Sequence, residues 1–266
     1  QQIPLAVTTW VRIAPGVPRI DLTVRVDNSA RDHRVRLLFP TGGPVSRFLA
    51  ASTFDVATRS TARPDDSGWV HRAPTTFAHH GWVSANGLMV VAPGLPEGEV
   101  TPEGVIALTL LRAVGWLARY DLRSRPVPAG PPMAVSGAQL PGPIEARLSL
   151  LAEGDCVAAH DAELGLRGVI AGAAPLLAAQ QSLLTIEPRE LLLSALKPAE
   201  DGDGIVLRLL NPTDVGLSAT LHVGFPLRSA CAVRLDEGPV DCLITIEANT
   251  VRCEVPPRAL RSLRLR

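Results

Sequence analysis

The chain has 266 residues, 46% of them hydrophobic and 20% charged, enough apolar sequence to build one large domain, or a large and a small one, without disulfide or metal staples. Its 26 Lys plus Arg balance 26 Asp plus Glu, so nothing global draws it to nucleic acid or an anionic membrane. The 22 glycines and 24 prolines are spread along its length, as expected of many short strands joined by turns.

The start, QQIPLAVTTWVRIAPG, has no basic n-region and no initiator methionine. Because these residues already read as a strand, the chain is expected to belong to a longer polypeptide. LAVTTWVRI alternates, APGVP turns, and RIDLTVRVDN alternates again, with Ile20, Leu22, Val24 and Val26 on one face and Asp21, Thr23 and Arg25 on the other. NSARD is a turn, and HRVRLLFP reads as the return strand of an antiparallel hairpin. GWVSANGLMVVAPG predicts a second hairpin turning at Asn86–Gly87.

VIALTLLRAVGWLARYDLRSRP, Val105 to Pro126, holds an apolar run of about ten residues against the ~20 a membrane span needs, and Arg112 interrupts it. We read Val105–Val114 as an interior strand buried on both faces. Gly115 is expected to let the chain turn, with Trp116, Arg119 and Arg123 packing where this region meets its neighbours. Arginines stacked on Trp116 and Tyr120 would make the rest of this stretch an ordinary surface loop. IEARLSLL is one more strand. GVIAGAAPLLAAQQSLL is the helix candidate, broken by Pro175. From about Ser182 short strands alternate with turns up to the terminal LRSLRLR, the signature of a β-sandwich. EDGDG reads as a polar turn, since a calcium loop needs more ligands and a distal Glu.

Chemistry is sparse. There is no phosphate loop, nucleophile elbow or H-E-x-x-H motif. Cys156, Cys231, Cys242 and Cys253 contain no C-x-x-C pair; they are expected as small buried groups on adjacent strands, in a cytoplasmic, reducing setting. His79 and His80 are adjacent, so on a regular strand they point to opposite faces and cannot share a metal ion. Glu97 and Glu99 lie two apart and project from one face if extended. Such a pair does not bracket a sugar as acid and base. No metal site and no catalytic residue is assigned.

Five stretches in order, VDNSARDHRVRLLFPTG, GLPEGEV, IALTLLRAVGWLARYDLRSRP, AGPPMAVSGAQLPG and LSALKPAEDGDGIVLRLLNPTD, resemble the C-terminal half of glycoside hydrolase family 38, the α-mannosidases, especially its bacterial type. The resemblance implies an all-β fold, with a large galactose-mutarotase-like two-sheet super-sandwich at 1–182 followed by a smaller β-sandwich at 183–266. It further implies an N-terminal catalytic domain of the same polypeptide, carrying the aspartate nucleophile, the aspartate acid/base and a zinc ion. The chain would then be the non-catalytic β region of a retaining α-mannosidase-like hydrolase, with the catalytic domain and an α-mannoside as partners and neither nucleic acid nor membrane. Glu97, Glu99, His80 and Trp82 are the candidates for the wall of the substrate cleft. Family members often carry an aromatic residue where Gly98 stands, so the chain is expected to lack a sugar-stacking platform there. Two alternatives remain: a non-catalytic carbohydrate-binding module, and a self-sufficient mutarotase-like enzyme pairing His79 or His80 with Glu97 or Glu99.

Overall fold

The computed structural model describes residues 3–122, 125, 127, 129–165, 168, 170 and 180–266. Among them regular structure is almost all β, in four sheets, and the chain divides into two compact units, Gln1–Asp155 and Cys156–Arg266. The helix α1 (Cys156–Leu164) belongs to the second unit. Ser182, where the change of texture was expected, lies between α1 and the first strand of that unit.

The first unit contains β1 (Ala6–Ile13), β2 (Ile20–Asn28), β3 (Arg34–Pro40), β4 (Arg47–Ser52), β5 (Asp55–Ser60) and β6 (Phe77–Ala78). It continues with β7 (Trp82–Ala85), β8 (Leu88–Val91), β9 (Glu97–Val100), β10 (Val105–Arg112) and β11 (Gly142–Ala152). A seven-stranded sheet runs β1-β2-β11-β8-β7-β4-β5, and a four-stranded sheet runs β3-β10-β9-β6. Period-two alternation decides which side chains meet between them. Val24, Val26, Ala50, Val83, Val90 and Leu148 from the wide sheet form one core with Val100, Ile106, Leu108 and Leu110 from the narrow one. Each fully buried Val, Leu or Ile contributes roughly 1.5–3 kcal/mol.

The expected β2–β3 hairpin does not form. β2 is flanked by β1 on one side and on the other by β11, in register from Gly142↔Asn28 to Leu150↔Ile20. With no edge of β2 left, the chain crosses to the other sheet, Asp32 taking a left-handed conformation at φ 51°, and β3 pairs with β10. The hairpin at Asn86–Gly87 does form between β7 and β8. Its turn residues have φ 47° and 76°, as a type I′ turn requires.

β10 is the interior strand expected of the apolar run, lying between β3 and β9. A register shift between Thr109 and Leu111 marks a β-bulge. Leu110 and Leu111 are consequently both buried, and the outward phase passes from Thr109 to Arg112. Gly115 has another role than the turn expected of it: its φ is not positive, and a Cβ there would come within 2.9 Å of Asp32 Oδ1 and Gln139 Nε2. The glycine leaves room for a latch in which Gln139 Nε2 donates to Asp32 Oδ1 at 3.0 Å and Asp32 N donates to Gln139 Oε1 at 2.9 Å. Arg123 lies outside the described residues.

The second unit contains β12 (Leu184–Glu187), β13 (Leu192–Pro198), β14 (Ile205–Asn211) and β15 (Leu217–Val223). β16 (Ala230–Val233), β17 (Ile244–Glu247), β18 (Thr250–Val255) and β19 (Ala259–Leu265) complete it. Its sheets run β12-β15-β18-β17 and β13-β14-β19-β16, closing over Leu207, Leu209, Leu221, Val251 and Leu263. Asn211, fully buried at the end of β14, donates to Val215 O, Val255 O and Pro256 O at 2.8–3.1 Å, so its amide is satisfied.

Two sequence readings change in this unit. The helix candidate GVIAGAAPLLAAQQSLL falls largely outside the described residues. α1 was not foreseen; Ala159 is its one buried residue, so no apolar stripe marks it in the sequence. The cysteines are not all buried on adjacent strands. Cys253 on β18 is buried, Cys231 on β16 is exposed, and these strands belong to different sheets. No disulfide joins Cys231, Cys242 and Cys253, and burial pushes the Cys253 thiol up to about 11, with Cys242 adding to the effect. Among the described residues no helix is long and apolar enough to cross a membrane.

Candidate functional site

The outward face of the four-stranded sheet carries a lattice of paired charges, built from two short alternations. In β3, R-V-R turns Val35 to the core and leaves Arg34 and Arg36 outside. In β9, E-G-E buries Gly98 and leaves Glu97 and Glu99 on the other face. β10, between them, adds Thr109 and Arg112. Glu97 accepts from Thr109 Oγ1 at 2.6 Å and from Nη1 of Arg34 and of Arg112, each at 3.3 Å. Glu99 pairs with Arg36 and accepts a hydrogen bond from Thr75. Burial pushes the Glu99 carboxyl up, but those hydrogen bonds and the charges of Arg36 and Arg34 outweigh it and hold the group below its usual value. A carboxyl kept ionised in this way is a poor proton donor near neutral pH.

Two openings adjoin this lattice, and a third shares Trp116 and Arg119 with one of them. Arg34 and Arg112 line a cavity of about 600 Å³ together with Asp32, His33, Trp116 and Arg119. Glu99 lines another of about 390 Å³ with Arg59, Arg63, Thr75 and Phe77. Trp116 and Tyr120, both exposed, border a third of about 320 Å³. Among the described residues no arginine stacks on Trp116 or Tyr120. Arg119 instead pairs with Asp121 at 2.8 Å, and Leu117 N donates to Met133 O at 2.9 Å. Among the described residues a cation–π contact lies elsewhere, with the Arg59 guanidinium 5.1 Å from the Phe77 ring centroid.

Of the residues singled out in the sequence, Glu97 and Glu99 do share a face. His80 is exposed, and its backbone N–H donates to Ala51 O at 2.9 Å. Trp82 belongs to the other sheet. Alternation with Val83 turns it away from the core, onto the face that also holds Val91 and Met89, where it is only 7% exposed. The four residues are therefore not gathered at one place, and Trp82 presents no open ring face.

His79 is the group whose environment the sequence hid. It follows Phe77, which pairs with Gly98, and both rings turn inward, their centroids 6.1 Å apart. Neither ring nitrogen has a hydrogen-bond partner. Burial, helped by the charges of His80 and Arg59, lowers its pKa from the ordinary 6.5 to about 4. His79 is thus a neutral inward ring, whereas both glutamates point outward from β9, so the acid–base pair of the mutarotase reading is not assembled with His79.

The aromatic expected at position 98 needs a different account too. A Cβ on Gly98 would meet Leu108 Cδ2 at 3.2 Å and Phe77 Cζ at 3.3 Å. A larger side chain here points between the sheets, so its absence removes no sugar-stacking surface. The partners of the glutamates, Arg34, Arg36 and Arg112, also escaped the sequence reading. Their signal was present as R-x-R and E-x-E, two outward pairs of opposite charge. Among the described residues no three His, Cys, Asp or Glu side chains gather as ligands for a metal ion, so no step is assigned to one in this chain.

Comparison with known proteins now bears on this geometry. Residues 190–262 match the family model described as the glycosyl hydrolases family 38 C-terminal beta sandwich domain. A curated relative from Halalkalibacterium halodurans, named "Putative mannosylglycerate hydrolase", is 29% identical over 279 aligned residues, covering 99% of this chain and 29% of the relative. An α-mannosidase from Enterococcus faecalis V583 superposes with a TM-score of 0.76 at 26% identity, over 98% of this chain and 29% of that one. A second structure from Enterococcus faecalis, a protein in glycosyl hydrolase family 38, has the same fold, with a TM-score of 0.76 at 24% identity over 98% of this chain and 30% of its own. The chain therefore spans under a third of the length of these relatives. Nearly all of the chain thus aligns with proteins named as a mannosylglycerate hydrolase or an α-mannosidase, and residues 190–262 match the C-terminal β-sandwich domain of glycosyl hydrolases family 38.

Proposed function

We propose that this chain performs no chemistry itself and serves a longer polypeptide that hydrolyses α-mannosidic bonds with retention of configuration. In this reading it supports a catalytic domain encoded in the same polypeptide, which holds zinc, and walls the carbohydrate cleft of that domain. The division into a mutarotase-like super-sandwich at 1–182 and a smaller sandwich at 183–266 is part of the same proposal. The observation that carries it is the match in fold across 98% of the chain to a protein named as an α-mannosidase. The Glu97–Glu99 lattice supports the wall role, because it presents ordered polar groups beside open cavities while its carboxylates are occupied by arginines. His80 and Trp82 are proposed at the margin of that wall.

The test is the polypeptide as its gene encodes it, assayed with an aryl α-mannoside. Turnover with retained anomeric configuration, followed by NMR, supports the reading. Lack of turnover of any α-mannoside in the presence of zinc defeats it, and turnover by the 266-residue chain alone defeats the non-catalytic assignment. For the wall, Glu97→Gln in the whole polypeptide is expected to raise KM several-fold with kcat little changed; an unaltered KM removes Glu97 from the cleft.

A second reading, a carbohydrate-binding module, is favoured by Trp116 and Tyr120, exposed together at one opening. Titration with mannose-containing oligosaccharides distinguishes it, since silence leaves a supporting role only.

A further inference from the structure

The two sheets of the first unit differ in width, seven strands against four. At ~4.8 Å per strand, three unmatched strands amount to roughly 14 Å of uncovered sheet. The contact between Phe48 of β4 and Phe77 of β6, centroids 4.8 Å apart, sets β6 over β4. Asn86, in the β7–β8 turn, donates to Gly43 O at 2.9 Å, just beyond the end of β3. These two ties align the sheets so that the overhang falls mainly on the β1 side.

Exposure agrees with that placement. Val7, Thr9, Val11 and Ile13 share the face of Val24 and Val26, since they pair across the ladder with Val26, Val24, Leu22 and Ile20. Val24 and Val26 are buried in the core, yet Val7 is 56%, Val11 62% and Ile13 71% exposed. This row has no charged group. β1 is also an edge strand of eight residues with one charged side chain, Arg12, whereas the opposite edge, β5, carries Asp55 and Arg59. A long apolar edge without such protection is a ready site for pairing. On the same side of the sandwich β3 has β10 along one edge and, among the described residues, no strand along the other.

We propose that a β-strand of the same polypeptide, from outside these 266 residues, adds to the open edge of β3 and lays alternate apolar side chains over Val7, Val11, Ile13 and Ile20. A strand fits better than a helix because only an extended segment satisfies the β3 edge groups and covers the row with one face. Its origin in the same chain follows from length: the matched relatives carry more than twice as much polypeptide again beyond the part aligned here. The inference does not depend on mannoside hydrolysis and stands or falls separately from it.

Hydrogen exchange read by mass spectrometry on the whole native polypeptide tests it, together with Val11→Lys and, on the opposite face of the same strand, Thr8→Lys. We expect all amides of residues 34–40 to be protected, including those turned away from β10, at protein concentrations where sedimentation shows a monomer. We also expect V11K to lower Tm by about 4 °C or more and T8K to leave it within about 1 °C. Rapid exchange of half the amides in 34–40, or equal and negligible effects of the two lysines, overturns the proposal. Protection that disappears on dilution overturns it in favour of a second copy of the chain.

Discussion

The two sandwiches are built from the same kind of strand and close differently. In the second unit four strands face four, and Leu207, Leu209, Leu221 and Leu263 have no measurable exposure. Its charges tie the margin together: Arg264 donates to Asp201 at 2.7 Å and to Glu237 at 3.1 Å, and Lys197 reaches Glu237 at 2.6 Å. In the first unit seven strands face four, an apolar row stays open, and the ordered charges stand on a sheet face beside cavities. Equal widths let a sandwich satisfy itself. Unequal widths leave both a surface that needs covering and a surface that can serve a ligand, so the proposals for interaction and function both fall on the first unit.

The largest expected effect separates the two cores. Leu263→Ala removes a fully buried side chain from the closed sandwich and should cost about 2–5 kcal/mol in urea unfolding. Val11→Ala in this 266-residue chain should cost under about 0.5 kcal/mol, because more than half of Val11 is already in water. A cost for V11A close to that for L263A would mean that the open face is covered even in the short chain, and the contrast would collapse.

The readability of the sequence followed the same division. Alternation and turn chemistry exposed the strands of both units, because each has one buried face and a short turn, as at Asn86–Gly87. The pairing of β2 was not readable. Its partner β11 lies more than a hundred residues away, and alternation reports which face is buried but not which strand sits alongside. Glu97 and Glu99 were visible as a pair, but their neutralisation by Arg34, Arg36 and Arg112 depends on strand order β3-β10-β9, which is tertiary. His79 shows the same gap. A histidine near a glycine looks exposed, and only the stacking of sheets decides that it is buried.

Acid should distinguish the units by window. His79 is neutral in the folded state, with its pKa lowered to about 4, and ordinary when unfolded, at 6.5. The unfolded form therefore binds a proton first as pH falls. The stability held above pH 6.5 should decline down to about pH 4 and then level off, by up to about 3 kcal/mol for the first unit. His79→Leu should flatten that slope; a profile unchanged by the substitution would assign the loss to other groups. Glu237 behaves in the other window. Hydrogen bonds from Lys197 and from Glu200 N, then Arg264, hold its pKa below the usual 4.5, so its contribution is present above that value and lost only as pH falls below it. Thermal unfolding across pH should show the first unit weakening before the second, and Glu237→Gln should remove part of the second loss alone.

The smallest effect on stability concerns the outward lattice. Glu97 is partly exposed, its contacts with Arg34 and Arg112 are long at 3.3 Å, and Arg112 is mostly in solvent. Solvent screens such pairs, so Glu97→Gln should change stability by at most about 1 kcal/mol, and a double-mutant cycle with Arg112→Ala should give coupling no larger. Thr109 Oγ1 can still donate to the amide carbonyl that E97Q introduces, which keeps the side chain in place. If stability is nearly unchanged while KM for an α-mannoside rises in the whole polypeptide, the lattice is held for a ligand, since folding gains almost nothing from it. A drop of several kcal/mol with KM unaltered would reverse the comparison, making the face of the first unit as structural as the ion pairs of the second.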